Sequence, residues 1–333
     1  MMKNTVVLTS IHPPTPAVRQ FAALEDWDVL VVGDLKTPRD WHCPGVRFVS
    51  TAQQETLGFR IIRELPWNHY ARKMIGYLLA AREGAPSIAE SDDDNLPEGD
   101  WTFPEFNGVY AQIPAGGEAV NIYSLFTRQS IWPRGFPLSR ITAPESVIDP
   151  AALTAQKVRI GIWQALADDD PDVDAIYRLT VNRPCRFARR DPVVLPPGTF
   201  SPFNSQNTAF RRELLPLMYL PAHVNFRVTD ILRSYVAQPI LWAAGYRLGF
   251  AGPTVRQARN AHDLQADFAS ELPLYMEAER IMALVQEGVR AEASIRENLY
   301  TVYANLARAA LVPERELDLL TAWLEDTAAL EAG

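Results

Sequence analysis

The sequence has few cysteines, no long apolar run and no excess of positive charge. Its two cysteines, Cys43 and Cys185, cannot build a disulfide framework or a four-thiolate zinc site. No stretch approaches the ~18 uninterrupted apolar residues of a membrane-spanning helix. The apolar run at the N-terminus is too short for a signal peptide. We therefore expect a cytoplasmic protein without a membrane span.

The charge balance excludes a general nucleic-acid binder. The chain has 32 Lys and Arg against 40 Asp and Glu, which gives a formal net charge of -8. A phosphate backbone would be repelled by such a surface, so we expect no nucleic-acid partner. The 333 residues are enough to bury a large core, and at roughly 150 residues per domain they suggest about two domains.

The first third of the sequence alternates strand and helix signals. Short apolar, β-branched runs at 5–9, 28–34 and 46–49 predict buried strands. Apolar residues at helical spacing predict helices over 16–24 and 67–84. This alternation is typical of an α/β fold with a mainly parallel sheet flanked by helices.

The later sequence is less regular and then becomes helical. The segment 174–180 predicts a further strand, and 229–245 predicts a helix that stops at a glycine. Beyond about residue 270 the composition shifts to Ala, Glu, Leu and Arg, and 277–306 and 314–330 predict amphipathic helices. We expect a helical C-terminal extension, through which the chain would form a homodimer.

Three consecutive aspartates occur twice. The copy at 168–170 follows an apolar segment, and if that segment is a helix these acids lie at its negative end and face water. The first copy follows a short strand signal, at the position where open parallel sheets bind ligands. Because residues i and i+2 project to one side of an extended chain, Asp92 and Asp94 are expected to converge on Mg²⁺ or Mn²⁺. Such a cation would neutralise a bound diphosphate.

Several segments between about residues 5 and 265 share one resemblance. They are RKMIGYL (72–78), APSIAESDDDN (85–95), IWPRGFPL (131–138), DPDVDAIYRLT (170–180), PFNSQNT (202–208) and RVTDILRSY (227–235). In combination they resemble the STELLO family of glycosyltransferase-like proteins. They are also similar, more distantly, to the reversibly glycosylated polypeptides, which are UDP-arabinopyranose mutases. The helical tail carries no motif that we can place in either family.

The resemblance implies a GT-A fold, that is, one Rossmann-like sheet with two functional halves. Residues 1–130 would form the nucleotide-sugar half, 131–268 the acceptor half and 269–333 the helical C-terminal extension. It also implies a UDP-sugar donor and a divalent metal ion. The acceptor, whether glycan, lipid or small molecule, stays open.

The same resemblance implies roles for residues near the predicted strand ends. Thr9, Ser10 and Ile11 would hold the base, although an ordinary loop with hydroxyl turns explains them equally well. Asp34 would accept a hydrogen bond from the base or the ribose, or else cap a turn. On the helix before the acidic triplet, Lys73 would reach the diphosphate. Asp92 and Asp93 complete the predicted donor contacts.

Further residues are predicted to act on the sugar and the acceptor. In the GT-A interpretation Asp230, at a helix start, is the general base on the acceptor hydroxyl; the alternative is helix capping. His262 would join Asp92 and Asp94 as a metal ligand. Asn204 and Asn207 would contact sugar hydroxyls, with turn formation as the alternative.

Two other functions compete with a metal-dependent glycosyltransferase. A nucleotide-sugar mutase would carry a glycosylated arginine, for which Arg134 and Arg178 are the candidates. A non-catalytic GT-A protein would serve as a scaffold or as a glycan-binding module.

Overall fold

The computed structural model describes residues 3–116, 119–258 and 263–332. Within them, ten strands join one sheet. The strands are β1 (Asn4–Ser10), β2 (Trp27–Gly33), β3 (Val46–Val49), β4 (Ser87–Ser91), β5 (Asn95–Pro97), β6 (Asn107–Gln112), β7 (Thr154–Asp168), β8 (Val193–Val194), β9 (Asn207–Arg211) and β10 (Arg247–Gln257).

The helices lie between these strands and after them. They are α1 (Pro16–Phe21), α2 (Thr51–Glu55), α3 (Ile61–Glu64), α4 (Lys73–Arg82), α5 (Ala175–Thr180), α6 (Thr229–Ala243), α7 (Leu264–Gly288), α8 (Ile295–Arg308) and α9 (Glu316–Ala332).

The sheet is mixed, and this corrects the prediction that it is mainly parallel. Strands β3, β2, β1 and β4 are parallel neighbours, as the alternating pattern of the first third predicts. Strand β9 then pairs antiparallel with both β4 and β7, while β7 and β10 run parallel to each other. The long β7 also carries β6 as an antiparallel neighbour. The α/β class is confirmed.

Helix α4 packs directly on the parallel half of the sheet. Its residues from Lys73 to Ala81 are all buried, because β1 and β2 lie on one side and α9 on another. The contact with the sheet is close at Gly76, where a Cβ atom would stand 2.3 Å from Val7 Cγ1. This packing fixes the helix directly behind the end of β4.

Two predicted elements are of the wrong type. Residues 174–180 form helix α5 rather than a strand, because Asp174 caps it by accepting from the backbone N–H of Tyr177 at 2.8 Å. The segment before the second acidic triplet belongs to strand β7 rather than to a helix. In addition, the predicted helix over 277–306 is interrupted between α7 and α8.

The C-terminal helices pack against the α/β core. Helix α9 contacts α3, α4 and α8, and it buries Leu319, Leu320 and Trp323. Trp323 also donates from its indole N–H to the backbone oxygen of Pro216 at 2.9 Å. In the described parts of the chain, no helix combines the length and apolarity needed to cross a membrane.

Candidate active site

A cavity of about 400 Å³ opens where β1, β2 and β4 end. The carboxyl ends of parallel strands meet at one edge of a sheet, so the residues that follow these strands are brought together there. The lining includes Thr9, Ser10, Ile11, His12, Asp34, Lys36, Asn68, His69, Tyr70, Asp92, Asp93, Asp94, Arg134, Asp172, Ser205, Gln206, Phe226, Arg227, Asp230 and Gln257.

The first acidic triplet forms a tight turn between β4 and β5. The N–H of Asn95 donates to the backbone oxygen of Asp92 at 3.2 Å, which closes the turn. The extended geometry assumed for Asp92 and Asp94 is therefore wrong, although all three carboxylates of this acidic turn line the cavity. The turn is also tied to β10, because Ala258 donates to the backbone oxygen of Asp94 at 3.0 Å.

Each aspartate of the acidic turn has a different partner. Asp92 Oδ1 lies 2.9 Å from Lys73 Nζ, and its side chain is 41% exposed. The carboxylate of Asp93 accepts from the Ser10 hydroxyl. Asp94 Oδ2 accepts from Gln257 Nε2 at 3.4 Å. The three carboxylates thus differ in electrostatic environment, although they are consecutive in sequence.

Burial raises the pKa of Asp93 above its ordinary value. The Ser10 hydrogen bond opposes this shift, and the neighbouring charge of Asp92 adds to it. Two adjacent carboxylates in a partly buried turn repel each other, so a cation at the turn would relieve that repulsion.

The carboxylate of Asp34 organises a loop at the end of β2. Its Oδ1 accepts from the backbone N–H groups of Leu35 at 2.7 Å and Asn68 at 2.8 Å, and its Oδ2 accepts from that of His69 at 3.1 Å. Asp34 is buried. Through these bonds it holds the segment that carries the next group of lining residues.

His69, Tyr70 and Phe226 form an aromatic wall. The His69 and Tyr70 rings are stacked with centroids 5.4 Å apart, and the Phe226 ring meets Tyr70 edge-on at 4.6 Å. The Tyr70 hydroxyl donates to the backbone oxygen of Phe226 at 3.3 Å. Phe226 remains 54% exposed, so this wall reaches the mouth of the cavity.

His69 is neutral at physiological pH. Burial lowers its pKa to about 4, although the charge of Glu316 opposes the shift. Its Nδ1 accepts from the backbone N–H of Ala71 at 3.0 Å, so the proton lies on Nε2. The aromatic wall therefore carries no positive charge of its own.

A charged cluster of Arg134, Asp172 and Asp230 adjoins the aromatic wall, since the N–H of Asp230 donates to the Tyr70 hydroxyl at 3.2 Å. Arg134 Nε lies 2.8 Å from Asp172 Oδ1, and its Nη2 lies 2.8 Å from Asp172 Oδ2 and 3.0 Å from Asp230 Oδ2. All three residues are buried. One guanidinium therefore neutralises two carboxylates in a low-dielectric setting.

The charged cluster keeps Asp230 ionised. Burial alone would raise the pKa of Asp230, but the charge and hydrogen bonds of Arg134, together with the charge of Arg233, outweigh it and lower the pKa below the ordinary value. Ser205 adds two hydrogen bonds to Asp230 Oδ2, from its N–H at 3.2 Å and its hydroxyl at 3.3 Å. Burial likewise disfavours the charge on Arg134, yet the two carboxylates raise its pKa well above normal.

Eight of the predicted site residues line the cavity. They are Thr9, Ser10, Ile11, Asp34, Asp92, Asp93, Asp94 and Asp230. The remaining prediction for the metal shell, His262, lies outside the described residues.

Lys73, Asn204 and Asn207 are buried behind the lining. Lys73 Nζ donates to the backbone oxygens of Ser91 at 2.9 Å and Ser205 at 3.1 Å, in addition to its pair with Asp92. Asn204 Nδ2 donates to Asp172 Oδ2 at 2.9 Å. The side chain of Asn207 is bonded to Trp101, Leu166 and Thr254. Their direct contacts with a ligand stay predictions, while their observed contacts position other residues.

Sequence reasoning missed the aromatic wall. A lone histidine next to a tyrosine has no specific signal, and Phe226 is 156 positions from Tyr70 in the chain. The only sequence feature that pointed to this region was the N-terminal end of helix α6, which begins just after Phe226. For Arg134 the sequence suggested only the glycosylated arginine of a mutase, and Asp172 lay in a segment that carries the family resemblance.

The second acidic triplet has a different environment. Asp169 is paired with Arg186 at 3.2 Å, and Asp170 is paired with Arg178. Asp168 accepts from the backbone N–H of Phe187 at 2.8 Å. These acids lie at the end of a strand, not of a helix, and they are not lining residues of the cavity.

Within residues 3–116, 119–258 and 263–332, no group of three or more His, Cys, Asp or Glu side chains is placed to hold a metal ion. A metal site at the acidic turn would therefore need further ligands from substrate or water, or from residues 259–262, which lie outside the described ranges. Mg²⁺ commonly binds in this way, through one or two carboxylates together with phosphate oxygens and water.

The fold and the cavity define the class: an α/β protein with an acidic turn at the carboxyl edge of its sheet. The family model described as STELLO glycosyltransferases matches residues 227–332. Two Arabidopsis thaliana proteins, named "Probable glycosyltransferase STELLO1" and "Probable glycosyltransferase STELLO2", are each 28% identical to this chain. The alignments cover 98% and 96% of this chain and 44% of each relative. The chain is similar to the STELLO glycosyltransferases, and the predicted resemblance is confirmed.

The extent of the match differs from the prediction. The resemblance was expected to stop near residue 265, but the matching segment runs through α6, α7, α8 and α9. The helical tail is therefore part of what the family shares. The chain spans less than half the length of the curated relatives that it matches.

Among the solved structures that match is one described as "Crystal Structure of a Mycobacterial Protein". It has a TM-score of 0.42 and 11% sequence identity, and the match covers 87% of this chain and 76% of that chain.

Proposed function

We propose that the protein is a glycosyltransferase that uses a nucleoside-diphosphate sugar, UDP-linked, as donor and a divalent cation at the acidic turn. The observation that carries the proposal is the turn itself: Asp92, Asp93 and Asp94 follow β4 and line a cavity together with the end of β1. The name shared by the family and the two relatives supports the same activity. We assign the GT-A fold on the same grounds.

The acidic turn fits a magnesium or manganese ion. Asp92 and Asp94 supply hard carboxylate oxygens, and Lys73 fixes the Asp92 side chain from behind without reaching the cavity lining. When bound, the cation would neutralise the diphosphate and the leaving group. Thr9, Ser10 and Ile11 would then lie beside the nucleoside, and the exposed Lys36 would lie near the phosphates.

The charged cluster would orient and deprotonate the acceptor hydroxyl. The acceptor hydroxyl oxygen forms a bond to the anomeric carbon of the sugar, the bond from that carbon to the diphosphate oxygen breaks, and the hydroxyl proton leaves. Asp230 is a carboxylate in the cavity lining and is ionised, so it can accept that proton or orient the hydroxyl. Arg134 would act as a positioning residue that holds Asp230 in its charged form.

The mutase alternative receives no support from its candidate arginines. An arginine that becomes glycosylated needs a guanidinium nitrogen that is free to attack carbon. Every side-chain nitrogen of Arg134 is hydrogen-bonded, to Asp172, to Asp230 or to the backbone oxygen of Arg227. Arg178 is buried against Asp170, and it is not one of the cavity-lining residues.

The first test measures whether UDP binding depends on the cation. Isothermal titration of the protein with UDP should show binding in the presence of Mn²⁺ and a much weaker response when the metal is chelated. Asp94→Asn should weaken the Mn²⁺-dependent binding of UDP at least about tenfold, a loss of about 1.4 kcal/mol, because a neutral amide is a poorer ligand for a hard cation.

The second acidic triplet supplies a matched control. Asp169→Asn removes the same charge from an aspartate outside the cavity, and it should leave UDP binding unchanged. Equal binding with and without Mn²⁺, or equal losses in the two variants, would exclude the proposed cation site. Tight metal-dependent UDP binding without any transfer or hydrolysis across a donor panel would instead favour a non-catalytic GT-A protein.

A further inference from the structure

A group of exposed arginines lies away from the cavity lining, in a chain whose net charge is -8. Between residues 181 and 191 the sequence has Arg183, Arg186, Arg189 and Arg190 against one acid, Asp191. Such a local excess of one sign on an otherwise acidic protein marks a surface for an anionic partner.

Tertiary contacts place further arginines next to residues 181–191. Residues 169 and 185 form an antiparallel bridge, which brings the segment against the end of β7. Arg186 and Arg256 both approach the single carboxylate of Asp169, at 3.2 and 3.8 Å. On the other side, Gln129 donates to the backbone oxygen of Pro184 at 3.2 Å. We define the arginine face as Arg128, Arg183, Arg186, Arg189 and Arg256.

The arginine face is exposed and only partly neutralised. The side chains of Arg186, Arg189 and Arg256 are 79%, 66% and 49% exposed. Arg189 pairs with Glu98 at 2.6 Å, and Asp169 serves two arginines. Arg128 and Arg183 are exposed and form no ion pair with any described residue. With the nearby Asp168 counted as well, three carboxylates face five arginines, so the face keeps a net positive charge.

An apolar tip stands directly beside the arginine face. Leu179 and Val181 are 48% and 47% exposed. The tip is a defined structure, because the N–H groups of Val181 and Asn182 both donate to the backbone oxygen of Tyr177, at 2.8 and 3.1 Å. Asn182, with φ of 44°, turns the chain from the tip towards Arg183.

We propose that the arginine face and the apolar tip together bind the surface of an anionic phospholipid membrane. Guanidinium groups make paired hydrogen bonds with phosphate oxygens, and aliphatic side chains next to them enter the boundary between headgroups and acyl chains. A polysaccharide or a nucleic acid would use the arginines but would gain nothing from exposed leucine and valine.

The arginine face lies close to the cavity, as membrane binding by an enzyme would require. Arg256 precedes Gln257, which lines the cavity, and both belong to β10. The end of β7, which Asp169 directly follows, lies at the same edge of the sheet as the end of β4, because these two strands run in one direction on either side of antiparallel β9. A membrane bound to the arginine face would therefore lie along the sheet edge at which the cavity opens.

Co-sedimentation of the full chain with vesicles tests the proposal. Vesicles of phosphatidylcholine with about a third phosphatidylserine should bind the protein, and pure phosphatidylcholine should not. Raising NaCl to about 0.5 M should release it, because exposed charges are screened. Arg183→Gln combined with Arg186→Gln should lower the partition coefficient about thirtyfold, at about 1 kcal/mol per basic residue.

Two further variants separate charge from apolar contact. Arg63→Gln with Arg315→Gln removes two exposed arginines near α3 and α9, and it should leave vesicle binding unchanged. Leu179→Ser with Val181→Ser keeps every charge and should still weaken binding several-fold.

Three results would overturn the proposal. They are equal sedimentation with neutral and anionic vesicles, equal losses for the two arginine pairs, and binding to heparin or duplex DNA at a salt concentration at which anionic vesicles bind nothing. None of these readouts depends on UDP or on a cation, so failure here leaves the proposed glycosyltransferase activity standing.

Discussion

Arg134 is the residue on which the charges of the cavity depend. It lies between two buried carboxylates, and without it Asp172 and Asp230 would lose the guanidinium that pairs with both of them. Removing one member of a buried ionic cluster typically costs about 3–5 kcal/mol. The same change alters the protonation of the group that we propose to receive the acceptor proton.

Replacement of Arg134 should shift the pH dependence of transfer. The pKa of Asp230 lies below its ordinary value in the folded protein, so its charged form persists as the pH falls. In Arg134→Met the main opposition to the effect of burial is removed, so the pKa of Asp230 rises and activity should be lost at a higher pH on the acid side. The acid side of the pH–activity profile is measured by following the release of UDP from a donor sugar between about pH 4 and 8.

Arg178→Met is the control for this experiment. Arg178 is also buried and paired with an aspartate, but it is not a lining residue of the cavity. The Arg178→Met variant should have a lower unfolding temperature, but the acid side of its pH–activity profile should not shift. An acid limb that stays unchanged in Arg134→Met would show that Asp230 does not carry the essential proton. In the wild type, the Arg134–Asp230 pair adds stability above the ordinary aspartate pKa, and this stability is lost as the pH falls through the lower folded value.

Among the secondary-structure elements, α4 has the most constrained position. Its contact with β1 depends on the absence of a side chain at Gly76, since a Cβ atom there would lie 2.3 Å from Val7 Cγ1 and 3.1 Å from Leu30 Cδ2. Helix α4 also carries Lys73, which fixes Asp92. A displacement of this helix would therefore reach the acidic turn.

Gly76→Ala should destabilise the protein despite the higher helix propensity of alanine. Overpacking in a core of this density costs about 1–3 kcal/mol, more than the roughly 1 kcal/mol that propensity returns. Gly252→Ala, where the nearest atom to a new Cβ is 3.6 Å away, is the comparison. Urea unfolding of both variants measures the difference, and equal midpoints would contradict the close contact.

The elements that could be predicted from the sequence are those with a clear local pattern of apolar residues. The apolar runs of β1, β2 and β3 identified the parallel half, and the residues at the ends of β1 and β2 proved to line the cavity. Residues 174–180 were misassigned because six or seven residues with a few apolar side chains fit a helix or a strand equally well. Only the capping bond made by Asp174 decides the matter.

The site residues that were missed depend on tertiary packing. Tyr70 and Phe226 meet because the segments that precede α4 and α6 lie side by side, and no pattern in either segment encodes that contact. Lys73 was predicted to reach the ligand because helical spacing fixes the direction of a side chain but not its depth. The structure places it behind Asp92.

At the scale of the whole molecule, α9 is tied to the walls of the cavity. Glu316, which is fully buried, accepts from the backbone N–H groups of Ala222 at 3.0 Å and His223 at 2.8 Å, and from the hydroxyl of Tyr219. Asp326 accepts from the N–H groups of Arg60 at 2.9 Å and Ile61 at 2.8 Å. These two stretches lead to Phe226 and to the 68–70 segment.

Glu316→Gln should lower the thermal unfolding temperature by several degrees. An amide has one acceptor oxygen in place of two, so at least one buried N–H group loses its partner, at a cost of about 1–3 kcal/mol. Glu314→Gln, at an exposed position of the same segment, should have no measurable effect. Differential scanning calorimetry compares the two, and equal transitions would mean that Glu316 does not hold this loop.

The two carboxylates of α9 have a wider consequence. The His69 and Phe226 rings pack with their centroids 5.3 Å apart, yet the loops that carry them are tied to a helix that does not line the cavity. Substitutions along α9 would thus move this wall, and change which molecules the cavity admits, while every lining residue stays the same.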